Sequence, residues 1–125
     1  MLKTNFDGAV FEDLGAAGIG AVVRNSLSEV LAALSEIIHL PSSIVALETI
    51  AARRVVLFVH ELGFSDTIFE GDSEEAILAI KKQSFQHLVV DHLVKDIVSS
   101  VSKFQYYFFS HTRRQDNVLA HALAR

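Results

Sequence analysis

The chain of 125 residues has no cysteine and no tryptophan, and its one proline is Pro41. Without cysteine it forms neither disulfides nor thiolate metal sites, which is typical of proteins from a reducing compartment. No run of about 18 apolar residues is present, so no membrane-spanning helix is predicted. The pattern of a signal peptide is also missing. We therefore expect an intracellular protein without membrane association, in a compartment that the sequence does not specify.

Half of the residues are hydrophobic and 21% are charged, a balance that predicts a globular fold rather than disorder. The length suits a single domain spanning residues 1–125, and no repeat or low-complexity linker divides it. The net charge of −4 provides no general attraction for nucleic acid, so any contact with phosphates requires local basic patches. We expect the domain to be a monomer.

The hydrophobic pattern predicts five strands and four helices in the order βββαβααβα. The strands are expected at residues 2–10, 17–24, 29–38, 66–70 and 103–110, the first helix between its N-cap Ser43 and Gly63, and the others at residues 73–82, 85–101 and 116–125. Strands separated by helices return through crossovers, so the first, fourth and fifth strands should be parallel neighbours. The expected fold is α/β, a five-stranded mixed sheet with helices on both faces. In the second strand, Gly18 and Gly20 indicate that another backbone or a ligand passes close.

Three isolated acids lie where different elements can direct them to one point. Asp7 is in the first strand, Glu48 is early in the long helix, and Asp72 follows the fourth strand. Ligands favour the carboxyl ends of parallel strands, which would bring Asp7 and Asp72 side by side. Carboxylates from separate elements are typical of a Mg²⁺ site for phosphate chemistry.

Glu48 also has a structural interpretation. It lies about 60° from the centre of the apolar stripe of its helix, where a carboxylate needs a partner. An ion pair with Arg24, Arg53 or Arg54 would supply that partner, and so would a metal ion. The spacing leaves both interpretations open.

The other two acids have structural alternatives as well. Asp72 and Glu75 have the spacing of a capping box at a helix start. Asp7 directly precedes Gly8, as a turn residue often does. Taken singly, each acid is more often structural than catalytic.

Five segments in order resemble the ribonuclease H fold, in particular the ribonuclease H-like domains of plant and retroelement origin. They are residues 5–9 (NFDGA), 15–24 (GAAGIGAVVR), 46–48 (ALE), 70–73 (EGDS), and 110–111 (SH) followed by Asn117 and 120–124 (AHALA). The resemblance covers nearly the whole chain. It implies endonucleolytic hydrolysis of the RNA strand of an RNA–DNA hybrid by two divalent ions about 4 Å apart, Mg²⁺ or alternatively Mn²⁺.

The resemblance also implies roles for individual residues. Asp7 would bridge the two ions, while Glu48 and Asp72 would complete the shell of one of them. His111 matches a histidine on a mobile loop of the family that assists proton transfer or product release. Taken in isolation, His111 would be interpreted as a surface histidine after a strand.

The position of the family's fourth acid is occupied by His121. A neutral imidazole ligates Mn²⁺, Fe²⁺ or Zn²⁺ better than Mg²⁺ and lowers the negative charge of the site. Asp116 precedes it by five residues and is better explained as an N-cap. The structural alternative for His121 is a polar residue at a helix–sheet edge without metal contact.

Substrate contacts also depart from the family pattern. The asparagines that contact the RNA 2′-hydroxyl are replaced by Ile44 and Val45. Arg113, Arg114 and Asn117 are the candidates for contact with nucleic acid near the presumed cleft. These departures favour a second hypothesis, a module that binds RNA or hybrid but cuts weakly or not at all. A plain interaction domain is the third.

Overall fold

A computed structural model describes residues 1–125 and contains five strands and four α-helices. The strands are β1 (Leu2–Phe11), β2 (Ala16–Arg24), β3 (Val30–His39), β4 (Asp66–Gly71) and β5 (Tyr106–His111). The helices are α1 (Ile44–Glu61), α2 (Glu74–Lys82), α3 (Leu88–Val101) and α4 (Val118–Ala124). The predicted element order is confirmed. None of the helices is both long enough and apolar enough to span a bilayer.

The sheet has the strand order β3-β2-β1-β4-β5. β1 pairs antiparallel with β2 and parallel with β4, and β4 pairs parallel with β5. The predicted mixed sheet and its parallel neighbours are therefore confirmed. Parallel pairing brings the carboxyl ends of β1, β4 and β5 to one edge of the sheet, which positions the candidate site.

The two faces of the sheet are covered differently. On one face, α1, α2 and α3 enclose an apolar core in which Phe6 and Phe69 of the sheet pack with Val55 and Val59 of α1. α4 lies on the other face, where a Cβ on Gly20 would be 2.2 Å from the carbonyl oxygen of Ala120. The close backbone approach that the glycines of β2 predicted is therefore made by α4.

The ends of two helices differ from the prediction for local reasons. α3 begins at Leu88 rather than at the predicted residue 85, and the Phe85 N–H instead donates to the carboxylate of Asp91 (2.9 Å), which holds the segment before the helix against its first turn. α4 begins late because residues 114–116 form a 3₁₀ turn. Asp116 lies in that turn, so its prediction as an N-cap is wrong.

The ends of α1 are as predicted. The Ser43 hydroxyl accepts a hydrogen bond from the Ala46 N–H (3.1 Å), which satisfies one of the free donors of the first turn. Gly63 follows the helix with φ of +84°, a left-handed conformation that glycine adopts without strain. The fixed start of α1 determines where Glu48, one turn later, lies along the sheet.

Candidate metal centre

Asp7 lies inside β1 and is buried, so its interpretation as a turn residue is wrong. Pairing between β1 and β4 ends at Phe6 and Gly71, and each acid directly follows one of these two residues. The two strands therefore deliver Asp7 and Asp72 to adjacent positions just beyond their last pair. The parallel register predicted this meeting.

Glu48 projects from α1 toward β1, with only 4% of its surface exposed. Its Oε1 accepts a hydrogen bond from the Gly8 N–H (3.2 Å), whereas its Oε2 is buried without any hydrogen-bond partner. A Cβ on Gly8 would lie 2.6 Å from Leu47 Cγ. The glycine therefore lets α1 approach the strand closely enough to bring Glu48 to Asp7.

The arginines that were alternatives for pairing Glu48 have other partners or none. Arg53 pairs with Asp96 (3.3 Å) and Arg54 with Glu36 (2.7 Å), while Arg24 makes no ion pair. The interpretation of Glu48 as a salt-bridge residue is therefore wrong. Its carboxylate has no protein cation beside it.

Asp72 does not cap α2, so the capping-box interpretation is wrong. The cap is the next residue, Ser73, whose hydroxyl accepts a hydrogen bond from the Ala76 N–H (3.2 Å). Asp72 is thereby free to face the other acids. Its one cationic contact is with Arg114 (Nε–Oδ2 3.6 Å), whose side chain is 81% exposed.

The three carboxylates converge, with one oxygen of each within 4.8 Å of the others. Burial, together with the charges of Asp7 and Asp72, raises the pKa of Glu48 to about 9. Burial and the Asp7 charge also raise the pKa of Asp72, against the opposing effect of Arg114. Both shifts have the sign expected of like charges that lack a counterion.

The donor set fits a divalent cation. All three groups are carboxylates, the hard oxygen ligands that Mg²⁺ and Mn²⁺ prefer. The Oε2 atom of Glu48 accepts no hydrogen bond from the protein, so its lone pairs are available to a metal ion. A buried anion of this kind is costly unless a cation neutralises it. The cluster of Asp7, Glu48 and Asp72 can therefore hold a divalent metal ion.

His121 lies beside the cluster rather than apart from it. α4 places its Nδ1 2.6 Å from Oδ2 of Asp7, and the ring is partly exposed. His121 is thus a polar residue at the edge between α4 and the sheet, in contact with Asp7. Whether it ligates a metal stays a prediction.

Asn117 is 1% exposed, and both ends of its amide are used inside the protein. Its Nδ2 donates to the Phe6 carbonyl (2.9 Å), and its Oδ1 accepts from Asn5 Nδ2 (3.1 Å). Asn117 therefore fixes the start of α4 to β1, and its contact with nucleic acid stays a prediction. Asn5 was missed, because no local pattern links two residues 112 positions apart.

The remaining predicted residues gather at the same edge. His111 is the last residue of β5 and lies opposite Gly71, so it belongs to a strand rather than to the expected loop. The Thr112 N–H donates to the Gly71 carbonyl (2.9 Å) and holds the following chain against β4. Arg113 is exposed just after it, next to Arg114. The catalytic role of His111 and the nucleic-acid contacts of the arginines stay predictions.

Solved structures share this fold over nearly the whole chain. RNase H1 of the halophilic archaeon Halobacterium salinarum NRC-1 has a TM-score of 0.89 and 21% identity, covering 98% of this chain and 93% of that one. The N-terminal RNase H domain of a Mycobacterium tuberculosis protein has a TM-score of 0.86 and 22% identity, covering 98% and 95%. LC11-RNase H1, in complex with an RNA/DNA hybrid, has a TM-score of 0.87 and 18% identity, covering 99% and 94%.

Sequence comparison adds the family. No curated protein matches the chain. A family model described as Reverse transcriptase-like matches residues 5–125. The plant and retroelement branch stays a prediction. The chain belongs to the Reverse transcriptase-like family and has the ribonuclease H fold that its motifs predicted.

Proposed function

We propose that the domain hydrolyses the RNA strand of RNA–DNA hybrids endonucleolytically, with two divalent cations, Mg²⁺ or Mn²⁺. The observation that carries this proposal is the convergence of three carboxylates within 4.8 Å, together with the unpartnered Oε2 of Glu48. When bound, the cations would activate the attacking water and stabilise the leaving oxygen.

The protein's own residues have separable roles in this proposal. Asp7, Glu48 and Asp72 are the ligands, and the Gly8 N–H orients Glu48 by holding its Oε1. His121 is the candidate fourth ligand, and its contact with Asp7 fixes the orientation of that carboxylate. His111, exposed at the same edge, is the candidate for an auxiliary proton transfer.

The substrate assignment rests on chemistry at the rim of the site. Arg114 provides a guanidinium group beside Asp72, the exposed Arg113 directly precedes it, and arginine binds phosphate oxygens in a bidentate manner. Similarity to LC11-RNase H1, whose structure contains an RNA/DNA hybrid, supports a hybrid as the partner. Ile44 is exposed where the family has an asparagine, so base and sugar contacts are expected to be weak. We also propose that the domain acts as an intracellular monomer.

A second function, binding without efficient cleavage, is favoured by two contacts. The fourth ligand position holds His121 instead of an acid, which leaves three carboxylates to balance two divalent ions. Arg114 already neutralises part of the charge of Asp72. A site with this charge balance binds a second cation weakly.

Cleavage of an RNA-labelled hybrid in Mg²⁺, and separately in Mn²⁺, distinguishes the two functions. We expect cleavage in at least one metal and its loss in Asp72→Asn. Binding of the hybrid without cleavage in either metal would favour the second function. Activity that survives in Asp72→Asn would come from a contaminating nuclease.

His121→Asp tests the departure from the family directly. If the missing acid limits the second cation, this variant should increase Mg²⁺-dependent cleavage, while His121→Asn should not. The pair has matched side-chain size, so a difference between the two variants reports the added negative charge. Equal rates in both variants would exclude a ligand role at this position.

A further inference from the structure

Half of one sheet face is uncovered. α4 packs on β1, β2 and β3 and makes no comparable contact with β4 or β5. Side chains alternate along β5, so Tyr106 and Phe108 point to this open face, while Phe109 points to the core. Tyr106 is 52% exposed and Phe108 is 48% exposed. Two large aromatic side chains, two residues apart on one strand, are therefore about half exposed to solvent.

The rings of Tyr106 and Phe108 do not pack in the hydrophobic core. Phe109 stacks on Phe69 with ring centres 5.0 Å apart, and Tyr107 packs edge-on against Phe109 at 6.2 Å. Tyr106 and Phe108 lack such partners on their face. β5 is also an edge strand, where exposed positions usually carry charge or proline to prevent pairing with other chains. The open face of β5 is aromatic instead.

One cation lies beside the rings. The ammonium of Lys81, at the end of α2, lies 4.9 Å from the ring centre of Phe108. Two acids lie on the same open face of β4: Glu70, which pairs with Lys3 (3.8 Å), and Asp66, which is opposite Tyr106. At its carboxyl end the strand reaches the metal centre, where Arg114 follows. Exposed aromatic rings with a cation beside one of them, on a strand that leads to the proposed metal centre, are features of a surface for single-stranded nucleic acid.

We propose that Tyr106 and Phe108 form a stacking platform for a single-stranded nucleic-acid segment that adjoins the metal centre. Alternate residues of a strand are about 6.6 Å apart, wider than the step of about 3.4 Å between bases in a duplex. The bases must therefore be splayed apart, as in a single strand, and each stacks on one ring without sequence preference. Lys81 supplies a charge for the connecting phosphate. This binding goes beyond the proposed function, because it does not require cleavage.

Fluorescence anisotropy with labelled oligonucleotides tests the platform. Three probes are used in chelator at low salt: a blunt RNA–DNA hybrid, the same hybrid with a single-stranded RNA extension of about six nucleotides, and the extension alone. We expect the extension to tighten binding about tenfold, and Tyr106→Ala/Phe108→Ala to abolish that gain while leaving blunt binding unchanged. Tyr106→Phe/Phe108→Tyr, which keeps both rings, should retain it. Ile37→Ala, on the opposite edge strand, is the control for a lost exposed apolar side chain.

Three results would overturn the platform. The first is equal affinity for blunt and extended hybrids in the wild-type protein. The second is an equal loss for both probes in the alanine variant, since the rings would then contact the duplex. The third is a change in oligomeric state on gel filtration with unchanged binding, since the rings would then join two copies. Binding of the extension alone is measured without cleavage, so a failure of the proposed hydrolysis is distinguishable from a failure of the platform.

Discussion

Two groups of buried polar side chains lie close together around β1, and they are stabilised in opposite ways. Asn5 and Asn117 hydrogen-bond to each other, and Asn117 also bonds the backbone of β1. Asp7, Glu48 and Asp72 face one another without a buried cation between them. The first group has a structural role, because its amide donors have hydrogen-bond acceptors within the protein. The second group stabilises the protein only if something outside it supplies positive charge.

Each group leaves one buried oxygen without a partner, and the two oxygens differ in consequence. Oδ1 of Asn5 belongs to a neutral amide, and an unpaired neutral group costs about 1–3 kcal/mol. Oε2 of Glu48 belongs to a carboxylate, for which the cost is larger unless the group is protonated or bound to a cation. This difference explains why the pKa of Glu48 is raised to about 9. The same difference indicates that the three acids, rather than the two asparagines, are the residues with a functional role.

Removing a charge from the acid group should have the largest effect on activity. In Asp7→Asn we expect hybrid cleavage to fall at least about 10³-fold, beyond the 10–100-fold typical of residues that only orient a ligand. Mn²⁺ binding, followed by electron paramagnetic resonance, should weaken in parallel. Asp13→Asn, an exposed acid in the turn after β1, is the control and should change neither. Full activity in Asp7→Asn would separate the cluster from catalysis.

Removing a member of the amide group should affect stability instead. Asn117→Ala removes the donor to the Phe6 carbonyl and leaves the Asn5 Nδ2 only its 3.3 Å bond to Glu70, so the free energy of unfolding should fall by about 2–3 kcal/mol. Urea denaturation measures this change. Asn25→Ala, in an exposed turn, should cost less than about 1 kcal/mol. A loss in Asn117→Ala no larger than this would mean that water replaces the amide.

The sequence predicts the acid group better than the amide group, and the reason is geometric. Crossover connections require β1 and β4 to be parallel, which brings Asp7 and Asp72 to one edge. Helical phase directs Glu48 at the sheet. These arguments need only the element order and the periodicity. They also suggest a cation site, and the family resemblance then supplied the expectation of two-ion hydrolysis of an RNA–DNA hybrid.

Contacts decided by one residue of register or by distant side chains were not predictable. Asp72 and Ser73 are both good N-caps, and only the backbone conformation selects Ser73. The Asn5–Asn117 bond joins the two ends of the chain. Neither local propensity nor periodicity encodes such a pair, so the structural role of Asn117 was not predicted, and its contact with nucleic acid stays a prediction.

The pH dependence of stability should also separate the two groups. Because the folded-state pKa of Glu48 is raised from 4.5 to about 9, the folded protein holds a proton that the unfolded chain has released between these pH values. Stability of the metal-free protein should therefore fall as the pH rises through this window. Glu48→Gln keeps an acceptor for the Gly8 N–H but cannot ionise, so it should stabilise the metal-free protein by about 1–3 kcal/mol at pH 8.

Thermal unfolding in chelator and in Mg²⁺ measures this effect. Mg²⁺ should restore stability to the wild-type protein at pH 8, because a ligand of the folded state adds stability by mass action. The gain in thermal stability on adding Mg²⁺ should be smaller in Glu48→Gln than in the wild-type protein. A wild-type stability that rises between pH 5 and 8 in chelator would contradict the assignment of an uncompensated cluster.

The smallest effect on stability is expected when both members of a hydrogen-bonded buried polar pair are removed together. The hydroxyls of Thr4 and Thr67 hydrogen-bond across β1 and β4 (2.9 Å), and both residues are fully buried. Thr4→Val alone should cost about 1 kcal/mol, because it leaves the other hydroxyl unpaired. The double variant Thr4→Val/Thr67→Val removes both groups at nearly constant volume, so its stability should return to within about 0.5 kcal/mol of wild type. Urea denaturation of the wild type, the single variants Thr4→Val and Thr67→Val, and the double variant forms a double-mutant cycle, and hybrid cleavage should be the same in all four proteins. If the double variant is as unstable as the sum of the single variants, the hydroxyls stabilise the sheet by separate contacts. The contrast between a threonine pair whose hydroxyls satisfy each other and an acid cluster that needs a cation would then not hold for β1.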